Sequence, residues 1–252
     1  MTQTVQYSRT GHVARLVLNN PARHNSLGAT ELQCIQDTLD KVAEDPQVRV
    51  LVVTGAGDKT FCAGAALHEL GAGDISSDLF QLTTNKLAAL EMPTICSLNG
   101  SVYGGGVELA LSCDFRIGVE NTRMRVPAAA IGLCYPVAGI NRFVQRLGVN
   151  LAKRILVAAE EFDAEAMLEI GFLDHLLLPS QLSAHTEKLA QHIAALAPLA
   201  VRAMKTILQQ AASGDIDLEQ AEQLSRRALE SQDLKEGFAA KSEKRVPQFR
   251  GE

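Results

Sequence analysis

The sequence predicts a layered α/β fold, and three observations carry the prediction. Short β-rich runs alternate with segments whose apolar residues recur at three- and four-residue spacing. Residues 48–54 (VRVLVVT) are nearly continuous and β-branched, as expected of a strand covered on both faces. From Pro198 onward no strand signal occurs, so the chain ends in helices.

The elements follow in order. Residues 13–18 (VARLVL) form a strand that Asn19-Asn20-Pro21 turns into a loop. In residues 29–44, Leu32, Ile35, Leu39 and Val42 mark one face of a helix closed before Pro46. The strand at 48–54 stops at Gly55-Ala56-Gly57, and residues 94–98 (TICSL) repeat the pattern. A glycine run, Gly104-Gly105-Gly106, precedes a helix at 107–112, and residues 114–119 read as another strand. Asp163 caps a helix at 164–170 with Gly171 as its stop; a strand at 173–178 and a helix at 181–196 follow. Residues 199–212, 218–231 and 234–244 are amphipathic helices, too small together for a large core of their own. They are expected to pack on the core or on a partner subunit. Residues 71–82 read as a variable loop without a motif.

Composition removes several function classes. The 252-residue chain is 46% hydrophobic and 21% charged, which suits a globular protein, and its net charge of -5 offers no positive field for nucleic acid or anionic membrane. Tryptophan is absent and aromatics make up 4%, so base-stacking platforms are hard to build. No apolar run approaches the roughly 18 to 20 residues of a membrane span, and the first nine residues lack an apolar leader segment. Five cysteines, an odd number without a C-x-x-C pair, fit reduced thiols. The expected location is cytoplasmic.

Familiar motifs fail on spacing. The run at Gly104 is neither G-x-G-x-x-G nor a P-loop, and Ser101 misses the G-x-S-x-G elbow by one position. His68-Glu69 lacks the second histidine of a zinc helix, so no metal is expected. Two segments remain, Phe61-Cys62-Ala63-Gly64-Ala65-Ala66-Leu67 and residues 99–108 (NGSVYGGGVE), each running strand, small residues, helix. Small residues admit a ligand close to backbone N–H groups, which at a helix start are unpaired and positively polarised. Two such turns converging on one carbonyl oxygen make an oxyanion hole. Tight packing of helix on strand would use the same residues.

These two motifs, with Asn25-Ser26-Leu27, Cys113-Asp114 and Glu243-Lys244-Arg245, resemble the crotonase, or enoyl-CoA hydratase/isomerase, superfamily nearly end to end. The resemblance implies a crotonase-type spiral of ββα units over residues 1–197, holding an acyl-CoA site, and a helical region at 198–252 used to assemble a homotrimer or dimer of trimers. It implies that the amides of Ala65 and Gly105 polarise a thioester carbonyl, that coenzyme A belongs to the substrate, and that no separate cofactor is needed. Ala63, Ala66, Leu67 and His68 are expected along the bound acyl-CoA. Ala22 and Arg23 lie in a turn resembling the family's nucleotide-binding loop, with Arg23 a candidate phosphate ligand. Lys241 and Lys244 are weaker candidates for that role.

Glu108 lies three residues beyond Gly105, which places both on one helical face. It falls on one of the two glutamates of the hydratases, so the resemblance implies a base acting on water; in isolation the residue could equally complement the helix dipole. The second glutamate is missing, because Ala128 in Val126-Pro127-Ala128 stands in its place. Reversible hydration of a 2-enoyl-CoA is the expected reaction, with double-bond shift, decarboxylation, or a silent CoA- or RNA-binding role as alternatives. Tyr135 or a water could supply the second proton, although a loop tyrosine more commonly keeps its hydroxyl in solvent.

Overall fold

The computed structural model describes residues 3–252. A hairpin of β1 (Val5–Thr10) and β2 (Val13–Leu18) leads to α1 (Ala29–Glu44). Three repeats of two strands and a helical segment follow. They are β3 (Val50–Gly55), β4 (Thr60–Cys62), α2 (Leu67–Ala72) and α3 (Ser77–Ala89); then β5 (Thr94–Ser97), β6 (Ser101–Tyr103) and α4 (Gly105–Leu111); then β7 (Phe115–Val119), β8 (Arg123–Arg125), α5 (Val137–Leu147) and α6 (Val149–Leu156). The chain continues with β9 (Glu161–Asp163), α7 (Ala164–Glu169), β10 (His175–Leu177) and α8 (Pro179–Ala194), and ends in α9 (Pro198–Ser213), α10 (Leu218–Leu229) and α11 (Gln232–Glu243).

Each repeat sends its first strand to one sheet and its second strand to another. The larger sheet runs β1-β2-β3-β5-β7-β10 and the smaller β4-β6-β8-β9, so successive repeats advance as a spiral. Central pairings such as β3 with β5 are parallel, which requires both faces to be covered. Alternation along β3 shows how. Leu51 and Val53 join Leu32, Ile35, Leu39 and Val42 of α1 in one apolar cluster, while Val50 and Val52 join Leu182, Ala190 and Ile193 of α8 in another. A strand buried on both sides reads as an unbroken apolar run, which explains the pattern of residues 48–54.

Two expectations need correction. The segment at 71–82 is not a loop, since it holds the end of α2 and the start of α3, whose N-terminus is capped by Ser76 Oγ accepting from Leu79 N at 3.0 Å. The inner face of α3 carries the buried polar residues Gln81, Thr83 and Thr84, which hid its helical periodicity. The helix expected at 107–112 starts two residues earlier, at Gly105. Glycine is a poor helix former, but a Cβ on Gly106 would meet Cys62 O at 2.7 Å, so tertiary contact with β4 selects it.

The C-terminal helices are tied to the core through buried polar contacts. Lys205 Nζ on α9 donates to Met92 O at 2.8 Å and pairs with Asp114 at 2.7 Å. Arg49 donates to Phe249 O at 2.8 Å. Among the described residues, no helix is long and apolar enough to cross a membrane.

Candidate active site

Two turns of small residues meet at the junction of the sheets. β4 delivers Ala63-Gly64-Ala65, and β6 delivers Gly104-Gly105 at the start of α4. Gly64 has φ +82, and a Cβ built on it would lie 2.7 Å from both Gly105 N and Tyr103 O. Only glycine adopts that backbone without strain and lets the two chains approach so closely. Asparagine side chains pin the surrounding loops. Asn25, buried and in the left-handed region, donates to Ala56 O at 3.0 Å and Thr60 O at 2.9 Å, while Asn99 Oδ1 accepts from Gly55 N at 3.0 Å.

Backbone bookkeeping around these turns is selective. Leu27 N donates to Gly64 O at 2.8 Å and Ala66 N to Leu27 O at 2.9 Å. Among the described residues, neither Ala65 N nor Gly105 N donates to any protein acceptor, and neither residue is fully exposed. Unpaired, sheltered donors are costly to leave without a partner. Gly64, the neighbour of Ala65, brings the two turns into contact.

Glu108 follows one turn into α4 and is wholly inaccessible to solvent. Its carboxylate accepts from Gln81 Nε2 at 3.2 and 3.3 Å and from Thr84 Oγ1 at 3.0 Å, and Arg142 Nε stands 3.6 Å from Oε1. A buried carboxylate is tolerable only with such partners. Burial pulls the Arg142 guanidinium below its ordinary range, and the Glu108 charge opposes that shift. Phe80, one residue before Gln81 on α3, lays its ring against Gly105, where a Cβ would meet Cζ at 2.6 Å. The nearby Cys62 thiol is pushed up to about 12 by burial, which keeps it protonated and apolar in character.

Tyr135 departs from the expected solvated position. Its ring stacks edge-on against Phe143, with centroids 5.6 Å apart at 84°. Its hydroxyl oxygen is buried and makes no aligned hydrogen bond. Burial first, then the Glu108 charge, then close approach to that carboxylate push the phenol well above its usual range. The loop before α5 curls inward because Gly139 lets it: a Cβ there would meet Tyr135 Cε1 at 2.7 Å and Glu108 Oε2 at 2.8 Å. Ala128, on the same loop, is buried among apolar side chains.

The expected CoA contacts divide. Arg23 and His68 come together at the surface, 3.4 Å apart, beside the exposed Ala22 and the exposed Leu67. Ala63 is half-buried, whereas Ala66 faces the core and its amide is already engaged. Lys241 and Lys244 are exposed at the end of α11. Sequence reasoning did not find Phe80, Gln81, Thr84 or Arg142. Nothing in their types or spacing marks them, because three belong to a helix facing α4 and the fourth to α5. Glu69 also has a role not foreseen, accepting from Ala29 N at 2.9 Å to cap α1.

A spiral of ββα repeats whose small-residue turns bring unpaired amides beside a buried carboxylate defines a class of enzyme that works on a polarised carbonyl. The enoyl-CoA hydratase/isomerase family model matches residues 8–252, and the chain belongs to that family. It is 33% identical over 248 residues to a crotonyl-CoA hydratase of Syntrophomonas wolfei, covering 94% of each chain. It is 31% identical over 241 residues to a short-chain-enoyl-CoA hydratase of Clostridium acetobutylicum, covering 94% of this chain and 90% of that one. The structure of an enoyl-CoA hydratase from Bacillus anthracis superimposes with a TM-score of 0.90 at 31% identity, over 99% of this chain and all of the other.

Proposed function

We propose that the protein is an enoyl-CoA hydratase that adds water to a 2-enoyl-CoA. The observation that carries this reading is the placement of Glu108 one turn after Gly105, whose amide is unpaired and adjoins the Gly64-Ala65 turn. The amides of Ala65 and Gly105 hold the thioester oxygen, charge develops there as water attacks C3, and Glu108 takes the proton that water gives up. Coenzyme A is part of the substrate, and no separate cofactor takes part. The exposed pair of Arg23 and His68, with Ala22 beside it, supports a phosphate contact at the mouth. Ala63 and Leu67 flank the acyl carrier, and Ala66 shapes the pocket from below.

Exposed apolar side chains on the last helices, including Leu208 at 68% and Phe238 at 68%, support assembly through residues 198–252 into a homotrimer or dimer of trimers. Five free thiols, most of them buried, support a cytoplasmic setting. Ala128 favours a second reading, isomerisation or decarboxylation of an acyl-CoA, because it removes one proton donor.

Product analysis tests the assignment. Incubated with crotonyl-CoA, the protein forms a thioester heavier by one water, and Glu108→Gln lowers kcat by about 100- to 10,000-fold. Carbon dioxide loss from a malonyl-type thioester, or a double-bond shift without a mass change, would establish the second reading. Absence of any turnover, with binding retained, would identify a silent CoA-binding protein.

A further inference from the structure

We propose that the Tyr135 hydroxyl is the proton donor to C2 of the substrate, replacing the carboxylate that Ala128 lacks; the proposal rests on the hydratase reading. Three observations meet at this residue. The Tyr135 oxygen is buried without an aligned hydrogen-bond partner, as are Gln81 Oε1 and Arg142 Nε around Glu108, and of these three atoms only the phenol oxygen carries a proton it can give to carbon. The Tyr135 ring and Glu108 Oε2 flank the same point, 2.7 and 2.8 Å from a Cβ built on Gly139. Tyr135 and Ala128 share one loop, so the segment emptied of its acid itself carries the phenol. A buried polar atom left unpaired is costly, and a substrate that accepts its proton repays that cost.

The proton accounting closes between the two residues. As water attacks, its oxygen bonds to C3, one water proton passes to the Glu108 carboxylate, and the C2=C3 electrons move onto the thioester as an enolate. The enolate collapses, C2 takes the proton of the Tyr135 hydroxyl, and a phenolate remains. Protonated Glu108 then returns its proton to that phenolate. The net change is one water added across the double bond, with both residues restored. The phenol faces Glu108 from α4, Arg142 from α5 and the Cys62 thiol from β4. Its pKa lies well above the usual range, so it starts the cycle protonated, and the nearby Arg142 charge steadies the transient phenolate.

The test uses the full chain. With crotonyl-CoA, Tyr135→Phe should lower kcat at least thirtyfold with KM changed less than threefold and an unaltered melting temperature. Exchange of the C2 hydrogens of butyryl-CoA in D2O, which needs no attack at C3, should fall more in Tyr135→Phe than in Glu108→Gln. If Tyr135→Phe does not fold, 3,5-difluorotyrosine at position 135 acidifies the phenol with little change of shape and should shift the basic limb of the kcat profile downward. A Tyr135→Phe enzyme within threefold of wild type in hydration and exchange overturns the proposal while leaving the hydratase reading intact. So does an unmoved basic limb in the fluorinated enzyme. A wild-type protein that adds no water to crotonyl-CoA removes the reading, and the proposal with it.

Discussion

Gly64 and Gly105 belong to different repeats, yet a methyl group on the first would sit 2.7 Å from the amide nitrogen of the second. That proximity leaves no room for a side chain, and under the proposed reading it lets amides from two loops serve one oxygen. Gly64→Ala meets backbone on both sides at φ +82, with no flexible atom to move away. We expect a loss of about 2 kcal/mol or more in urea unfolding and about a hundredfold fall in kcat, since the donors separate. A variant with wild-type kcat would show that the two turns do not act together.

Gly105 poses a different problem, because its neighbour can yield. The Phe80 ring belongs to a side chain, and a Cβ at position 105 would press on it at 2.6 Å. Gly105→Ala alone should cost about 1 to 3 kcal/mol through overpacking. Placed in a Phe80→Ala background, the same substitution should be neutral or stabilising, because alanine is the better helix former and the ring is gone. Chemical denaturation of the four proteins of this cycle measures the difference. Additive losses would mean that some other atom blocks the site.

Arg142 and Glu108 form a buried pair 3.6 Å apart, with the arginine side chain only 12% exposed and the glutamate sealed. Removing the cation in Arg142→Met leaves Glu108 with Gln81 and Thr84 as hydrogen-bond donors but no counter-charge, and should destabilise by about 3 kcal/mol. Adding Glu108→Gln removes the stranded charge. The double variant should then be more stable than the sum of the single losses by about 1 to 3 kcal/mol. A coupling near zero would show that the guanidinium does not support the carboxylate.

The chain end is fastened by Glu236, which Arg245 and the amide of Gln248 hold down to about 2. A carboxyl whose folded pKa lies below its unfolded value contributes stability above the unfolded value, near 4.5, and loses it as pH falls toward 2. Residues 245–252 should therefore exchange their amide hydrogens faster, relative to the core and after correction for intrinsic rates, at pH 3 than at pH 6. Arg245→Ala should show the fast pattern already at pH 6. Equal protection at the two pH values would mean that Asp233, which accepts from Arg250 N and Gly251 N, fastens the tail alone.

Much of this architecture is legible in the residues, and the exceptions have physical causes. β3 announces itself because burial on both faces leaves no polar residue to interrupt the run. Glu108 could be singled out because a spacing of three on a helix is a local relation, and so could the glycines before it. Gln81, Thr84 and Arg142 could not, since their meeting with Glu108 depends on how α3 and α5 lie across α4, which no local pattern encodes. The buried position of the Tyr135 hydroxyl is hidden for the same reason: its loop lacks periodicity, and only the missing Cβ of Gly139 shows that the ring can turn inward. Short strands such as β4 and β6 escape notice because three residues offer too little alternation to read.

The sealing of Glu108 beneath Gln81 and Thr84 bears on what the enzyme must avoid. Under the proposed reading, a thioester held by two amides beside a competent carboxylate is also activated toward hydrolysis at C1, which would discard the acyl group from its carrier. With Gln81 and Thr84 of α3 folded over it, the carboxylate itself is out of reach of bulk solvent. Under the proposed reading, that shielding limits the water the carboxylate can activate to a molecule held beside C3, which preserves the energy-rich bond for the next transformation.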